Sequence, residues 1–168
     1  GDLSTTAERY FERYGYPDWL RDHSRLVGRI AAVLVRARIS AGDAIDTDAV
    51  VLAAYLHDIG RSPLLRGDPR EHNELSALIL AAEGLATCVE PARRHAIYTV
   101  LDPATAPRTM EEKLVYLADR RGGLKVESLE ERARDTARRH PRFAVDIDRA
   151  IPLAKGIERE VFAGLRFS

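Results

Sequence analysis

Two neighbouring residues, His57 and Asp58, are the pair in this sequence best suited to metal chemistry. They follow an apolar run that ends at Leu56, and Ile59 and Gly60 come directly after them. An imidazole nitrogen and a carboxylate oxygen are both good ligands for divalent transition metals. A single His-Asp pair is weak evidence, so the prediction of a metal site depends on whether other ligands converge on it.

Four further residues of the same chemical types lie on or beside apolar helical stretches. A lone histidine on an apolar face is usually a hydrogen-bonded core residue, because burying an unpaired polar group costs free energy. Several such groups on different helices favour a shared site, since the core of a helical bundle can bring them together. We exclude His140, which precedes Pro141 on a polar helix. The remaining candidates are His23, His72, His95 and Asp119.

Helical periodicity accounts for almost the whole chain, and these helices must position the candidates. Apolar residues recur at spacings of three and four, and capping patterns such as Thr5–Glu8 and Thr109–Glu112 mark helix starts. No segment alternates for long enough to predict a strand. The predicted helices cover about residues 5–14, 18–39, 48–59, 71–83, 91–100, 110–120, 128–140 and 143–162.

These helices predict an all-α fold, a single-domain bundle of about seven or eight helices over residues 1–168. The metal-binding region would lie within residues 18–125, and the helices within 128–163 would complete the bundle. The last helix carries an apolar stripe that could either finish the core or form the face of a homodimer. That stripe consists of Ile147, Ile151, Ile157 and Val161.

Composition argues against several other functional classes. Lysine plus arginine and aspartate plus glutamate are balanced at 26 each, so a strongly basic nucleic-acid surface is not expected. No apolar run approaches the roughly 20 residues that a membrane helix needs, and no signal-peptide pattern opens the sequence. Cys88 is the single cysteine, which leaves no intrachain disulfide and no thiolate metal cluster. We expect a cytoplasmic protein without membrane or nucleic-acid partners.

The order of the candidate residues resembles the HD superfamily of metal-dependent phosphohydrolases. The matching positions are His23, the sequence His57–Gly60, and Asp119 at the end of Tyr116–Asp119. The resemblance covers about residues 18–125 and is closest to the small HDIG-type members. It implies that one divalent metal is bound by His23, His57, Asp58 and Asp119.

Two more histidines match branches of the superfamily that bind a second metal. His72 opens a helix, as the first added histidine does in those branches, and His95 resembles the second. The resemblance then implies two ions, bridged by Asp58, with His72 and His95 on the second one. Either histidine could instead contact substrate phosphate at a site with one metal. The metal itself stays open among Fe, Mn, Co, Ni, Zn and Mg.

The same resemblance implies a phosphomonoesterase or phosphodiesterase that acts on a nucleotide or a related small phosphate ester. Metal-activated hydroxide would attack phosphorus. Asp58 and Arg61 would be the catalytic residues, because many relatives carry a lysine or arginine facing the phosphate directly after the motif. The implied substrate-binding residues are Arg61, Arg94 and Arg120.

Two other functions are compatible with the sequence. A few HD proteins are oxygenases that use a diiron pair and the same six-ligand set, and metal analysis would separate them from hydrolases. Other HD modules are non-catalytic signalling domains, which typically lose ligands, whereas this sequence keeps all six.

Overall fold

Eight α-helices and five short 3-10 turns form the described part of the chain, residues 2–168 of the computed structural model. These residues contain no strand, and one isolated bridge joins Gly122 to Val126. The predicted all-α bundle is therefore confirmed. The helices are α1 Leu3–Arg13, α2 Asp18–Ser40, α3 Thr47–Leu56, α4 His72–Ala82, α5 Val89–Arg93, α6 Met110–Arg121, α7 Leu129–Arg139 and α8 Ala144–Phe162.

Helix α3 is the centre of the bundle. Every residue from Ala49 to Leu56 is buried, so this helix is apolar on all sides instead of on one stripe. It packs closely against α2, where a Cβ atom at Gly28 would lie 2.4 Å from the ring of Tyr55. Because α3 is enclosed by its neighbours, the residues at its C-terminal end start inside the core.

The last two helices pack on the rest of the bundle. Ile147 and Ala150 of α8 form a small apolar cluster with Ala133 of α7 and Ile97, and the C-terminal half of α8 enters the main core. The apolar stripe of α8 is thus used within the chain. These contacts favour the assignment of residues 1–168 to one domain, which stays a prediction, as does the homodimer.

Several predicted boundaries shift, each for a local reason. Helix α1 begins two residues before the predicted Thr5 start, because the Asp2 carboxylate accepts the backbone N–H of Ser4 at 2.9 Å. Helix α5 ends at Arg93, so the prediction that His95 lies on a helix is wrong. The chain is already extended at Ala96. The predicted capping box at Thr109 is present and opens α6.

The length and polarity of a helix decide whether it can cross a membrane. None of the helices formed by residues 2–168 combines the length and the apolar character needed to cross a bilayer.

Candidate metal centre

His57 and His95 are held in the same way by the backbone. Each Nδ1 lies 2.6 Å from the carbonyl oxygen three residues earlier, that of Ala54 for His57 and of Ala92 for His95. A carbonyl oxygen only accepts, so Nδ1 carries the proton in both rings. In the neutral tautomer the lone pair of each imidazole is therefore on Nε2, which faces the interior of the site.

Asp58 places its two carboxylate oxygens toward two different pairs of imidazoles. Oδ2 lies 3.3 Å from His57 Nε2 and 3.5 Å from His23 Nε2. Oδ1 lies 3.3 Å from His95 Nε2 and 3.6 Å from His72 Nε2. A carboxylate between two sets of nitrogen ligands has the arrangement of a bridging ligand.

Asp119 completes one of these two sets. It lies near the end of α6, and its Oδ1 is 3.2 Å from His23 Nε2 and 3.4 Å from His57 Nε2. We call His23, His57 and Asp119 the first group, and His72 with His95 the second group. Asp58 lies between the two. All six residues predicted as metal ligands are therefore close together.

The donor atoms fit a divalent cation. His57 Nε2 and Asp119 Oδ1 are buried, and neither has a hydrogen-bond partner among the described residues. Buried polar atoms are almost always paired, so orphans that face each other indicate a missing ligand. Ligand atoms of His23, His57 and Asp119 lie within 4.8 Å of one another, and so do those of His57, Asp58 and His95.

Electrostatics differ between the two groups. Burial opposes the imidazolium form of His57, but the carboxylates of Asp58 and Asp119 prevail and raise its pKa to about 10. Burial, with Arg61 and His95 nearby, lowers the pKa of His72 to about 3. Burial also lowers the pKa of His95. The second group therefore offers neutral imidazoles, while a cation at the first group must displace a proton.

Arg61 lies at the exposed edge of the second group. Its side chain is 43% exposed, with Nε 3.3 Å from Asp58 Oδ1 and Nη2 3.2 Å from His72 Nε2. A solvent-accessible guanidinium next to a candidate metal ligand is in a position to bind an anion that enters the site.

The contacts of Arg94 do not support its predicted role in substrate binding. Its Nε donates to Glu90 at 3.1 Å, and its Nη1 donates to the carbonyl oxygens of Ala104 and Ala106. The side chain is buried in these bonds, which hold the loop before α6. These contacts favour a role for Arg94 in positioning the loop, and its role in substrate binding stays a prediction.

Arg120 was also predicted to bind substrate, and in the structure its guanidinium contacts other residues of the protein. Its Nη2 donates to Asp119 Oδ2 at 2.7 Å, and its Nη1 donates to the backbone carbonyl of His95 at 2.6 Å. The guanidinium lies over the Tyr116 ring and is buried. Arg120 thus contacts one candidate ligand from each group, which favours a role in ligand positioning, and its role in substrate binding stays a prediction.

The sequence interpretation missed Arg132, on the polar helix α7. Its Nη2 lies 3.6 Å from Asp119 Oδ1, and its side chain is 13% exposed. The buried residues of α7 are Leu129 and Ala133. Arg132 directly precedes Ala133 and lies about one turn after Leu129. An arginine on the apolar stripe of a polar helix was therefore the sequence signal that pointed to this residue.

Comparison with protein families matches residues 20–122 to the HD domain. The chain belongs to the HD domain family. Members of this family are mostly metal-dependent phosphohydrolases, and the grouped histidines and aspartates agree with a metal-dependent hydrolase fold. Comparison with curated proteins and with solved structures gives no match. Helices α7 and α8, including Arg132, lie outside the matched residues.

Proposed function

We propose that this HD protein is a cytoplasmic phosphohydrolase of the HDIG type that binds two divalent cations and cleaves a small phosphate ester, such as a nucleotide. The observation that carries the proposal is the position of Asp58. One of its oxygens faces His23 and His57, and the other faces His72 and His95. Such a carboxylate suits two neighbouring cations better than one.

Divalent cations at the two groups would supply Lewis-acid activation of water and of the phosphoryl oxygens. The histidines, Asp58 and Asp119 would hold them, with Arg120 fixing the ligand orientation. Arg61 would bind a phosphate oxygen, because its guanidinium is beside Asp58 and half-exposed. In the reaction the oxygen of water bonds to phosphorus, the P–O bond to the alcohol breaks, and the alcohol leaves with a proton.

Two alternatives make different predictions. A diiron oxygenase with the same ligands would contain iron and consume O2, so metal analysis and oxygen uptake distinguish it from a hydrolase. A non-catalytic module would not need six converging ligands. The convergence of all six, with two buried polar atoms unpaired, supports an active metal centre.

The test combines elemental analysis of the purified protein with a screen of nucleotides and phosphate esters in the presence of Mn, Co, Fe, Ni, Zn or Mg. Asp58→Asn should lose metal and reduce turnover to background with the helix content intact, because it removes the shared ligand. His72→Ala should lower the metal-to-protein ratio from about two to about one. The matched control is His140→Ala, an exposed histidine outside the site.

Metal content and turnover that are unchanged in Asp58→Asn would contradict the proposal. A parent protein that binds one ion per chain at saturation would contradict the two-metal part of it.

A further inference from the structure

Arg132 is anchored at the edge of the first group by two hydrogen bonds. Its Nε donates to the backbone carbonyl of Asp119 at 3.3 Å, and its Nη1 donates to Thr136 Oγ1 at 3.2 Å. These bonds fix the plane of the guanidinium against the end of α6. An arginine anchored in this way is pre-organised, so little conformational entropy is lost when its remaining donors bind a ligand.

The remaining nitrogen, Nη2, has a long contact with Asp119 Oδ1 at 3.6 Å, which is beyond hydrogen-bond distance. That carboxylate oxygen is the one that faces His23 and His57. Nη2 is thus directed at the first group with its donors uncommitted. Arg120 differs, because its Nη1 and Nη2 already donate hydrogen bonds to a backbone carbonyl and to Asp119 Oδ2.

Arg132 lies beside the first group of the site, and Arg61 lies beside the second. Arg61 contacts His72 and the oxygen of Asp58 that faces the second group. Arg132 approaches the oxygen of Asp119 that belongs to the first group. The two guanidiniums therefore flank the six ligands, one beside each group.

We propose that Arg132 binds a phosphoryl oxygen at the first group and that, with Arg61 at the second, it selects a terminal phosphomonoester as substrate. This inference rests on the phosphohydrolase function proposed above. A phosphomonoester carries close to two negative charges and three non-bridging oxygens. A diester has one charge and two such oxygens, so it cannot satisfy two cations and two flanking guanidiniums as fully.

The test measures the binding of inorganic phosphate to Mn-loaded protein by titration calorimetry, after metal content has been determined. Arg132→Gln should weaken phosphate binding by about 10- to 100-fold, the usual range for a lost hydrogen bond to a charged group. Its metal content should equal that of the parent. Arg134→Gln is the matched control, since Arg134 is exposed on the same helix, and its phosphate affinity should stay at the parental value.

If Arg132→Gln does not fold or loses metal, Arg132→Lys decides the question. Lysine keeps the charge but not the anchored fork, so it should bind phosphate several-fold more weakly than the parent. Parental phosphate affinity in either folded, metal-loaded variant would overturn the role of Arg132 while leaving the proposed function intact. A parent protein that binds no metal would overturn both.

Substrate preference tests the phosphomonoester part. The parent should hydrolyse p-nitrophenyl phosphate faster than bis(p-nitrophenyl) phosphate. The ratio of these two rates should be smaller in Arg132→Gln. A parent that prefers the diester, or an unchanged ratio in the variant, would overturn it.

Discussion

Asp58 and Asp119 are both carboxylates in the same site, but their contacts make them unequal. Asp58 contacts imidazoles of both groups, whereas Asp119 contacts those of the first group. Burial would raise the pKa of Asp58, but His57 and Arg61 hold it well below its usual range. Asp58 thus stays ionised and available to both groups, and a substitution there affects the whole site.

Arg120→Gln should weaken metal binding by about 10- to 100-fold, the range found when partners of metal ligands are removed. The substitution removes the bond to Asp119 Oδ2 and the bond to the backbone of His95, so one ligand of each group loses its support. Competition with a fluorescent chelator would measure the metal affinity.

Arg121→Gln is the matched control for that variant. Arg121 is the next residue of α6, but it binds Glu158 and the carbonyl of Glu127, away from the six ligands. Equal metal affinities of the two variants would show that Arg120 does not position the ligands.

The convergence of the six candidate ligands was predictable from sequence, whereas the contacts of the arginines were not. Burying an imidazole or a carboxylate without a polar partner costs free energy. Several such groups on apolar helix faces are therefore expected to meet at a shared site. Arginine has a long side chain whose direction depends on tertiary partners. Arg94 donates to loop carbonyls and Arg120 to neighbouring residues, while Arg132 reaches the site from the polar helix α7.

At the scale of elements, the turn after α3 fixes how closely the two halves of the site approach. The backbone N–H of Gly60 donates to Ser76 Oγ at 2.8 Å, which ties the turn Ile59–Arg61 to α4. A Cβ atom at Gly60 would lie 2.2 Å from the carbonyl oxygen of His72. Glycine is required here because backbone packs directly on backbone.

Gly60→Ala should therefore push α4 away from the turn and lower the free energy of unfolding by roughly 1–3 kcal/mol or more, as overpacking does. Because α4 begins at His72, the second group should lose metal before the first. Urea denaturation and the metal-to-protein ratio would measure the two effects.

Gly156→Ala is the control for that substitution, because a Cβ atom there meets one flexible side-chain atom at 3.7 Å. In the middle of α8 alanine should raise stability by roughly 0.5–1 kcal/mol. If Gly60→Ala were as stable and as metal-rich as Gly156→Ala, the close contact between the turn and α4 would be refuted.

Element types were predictable because caps and periodicity are local signals, as at Thr109 and Ser128. The short helix α5 and the 3-10 turn Ile97–Leu101 were not, because their geometry follows tertiary contacts. The phenol of Tyr116 donates to the carbonyl of Ile97 at 2.8 Å, and Arg120 binds that of His95. Such bonds across the chain have no signature in the sequence around His95.

At the scale of the whole molecule, tyrosine hydroxyls join distant segments. Tyr14 at the end of α1 donates to Glu83 at the end of α4, and Tyr116 joins α6 to Ile97. Burial and the bond to Glu83 raise the pKa of Tyr14 to about 12. Burial raises the pKa of Tyr116 to about 12, although Arg120 opposes the shift.

The protein should consequently lose stability in alkaline solution. Both phenols are protonated below pH 10 in the folded and the unfolded chain, but between pH 10 and about 12 the unfolded chain releases their protons first. For Tyr116 the loss amounts to roughly 3 kcal/mol once both states are ionised. Urea midpoints at about pH 9 and about pH 11 would measure about half of this loss, because pH 11 lies midway between the two pKa values.

Tyr116→Phe provides the comparison. It should be less stable than the parent near pH 9, by about 1 kcal/mol for the lost hydrogen bond, but its stability should fall less steeply as the pH rises. Parallel pH profiles for the parent and Tyr116→Phe would contradict the assignment of the alkaline loss to this residue.

The two backbone carbonyls that hold His57 and His95 have a consequence for evolution. A histidine that is hydrogen-bonded to the main chain keeps its orientation when the side chains around it are substituted, provided that the backbone of the preceding helix end does not change. Mutations that reshape the surroundings of the site can then accumulate without loss of the ligand set. The orientation of these two candidate metal ligands should therefore tolerate substitutions in the surrounding side chains.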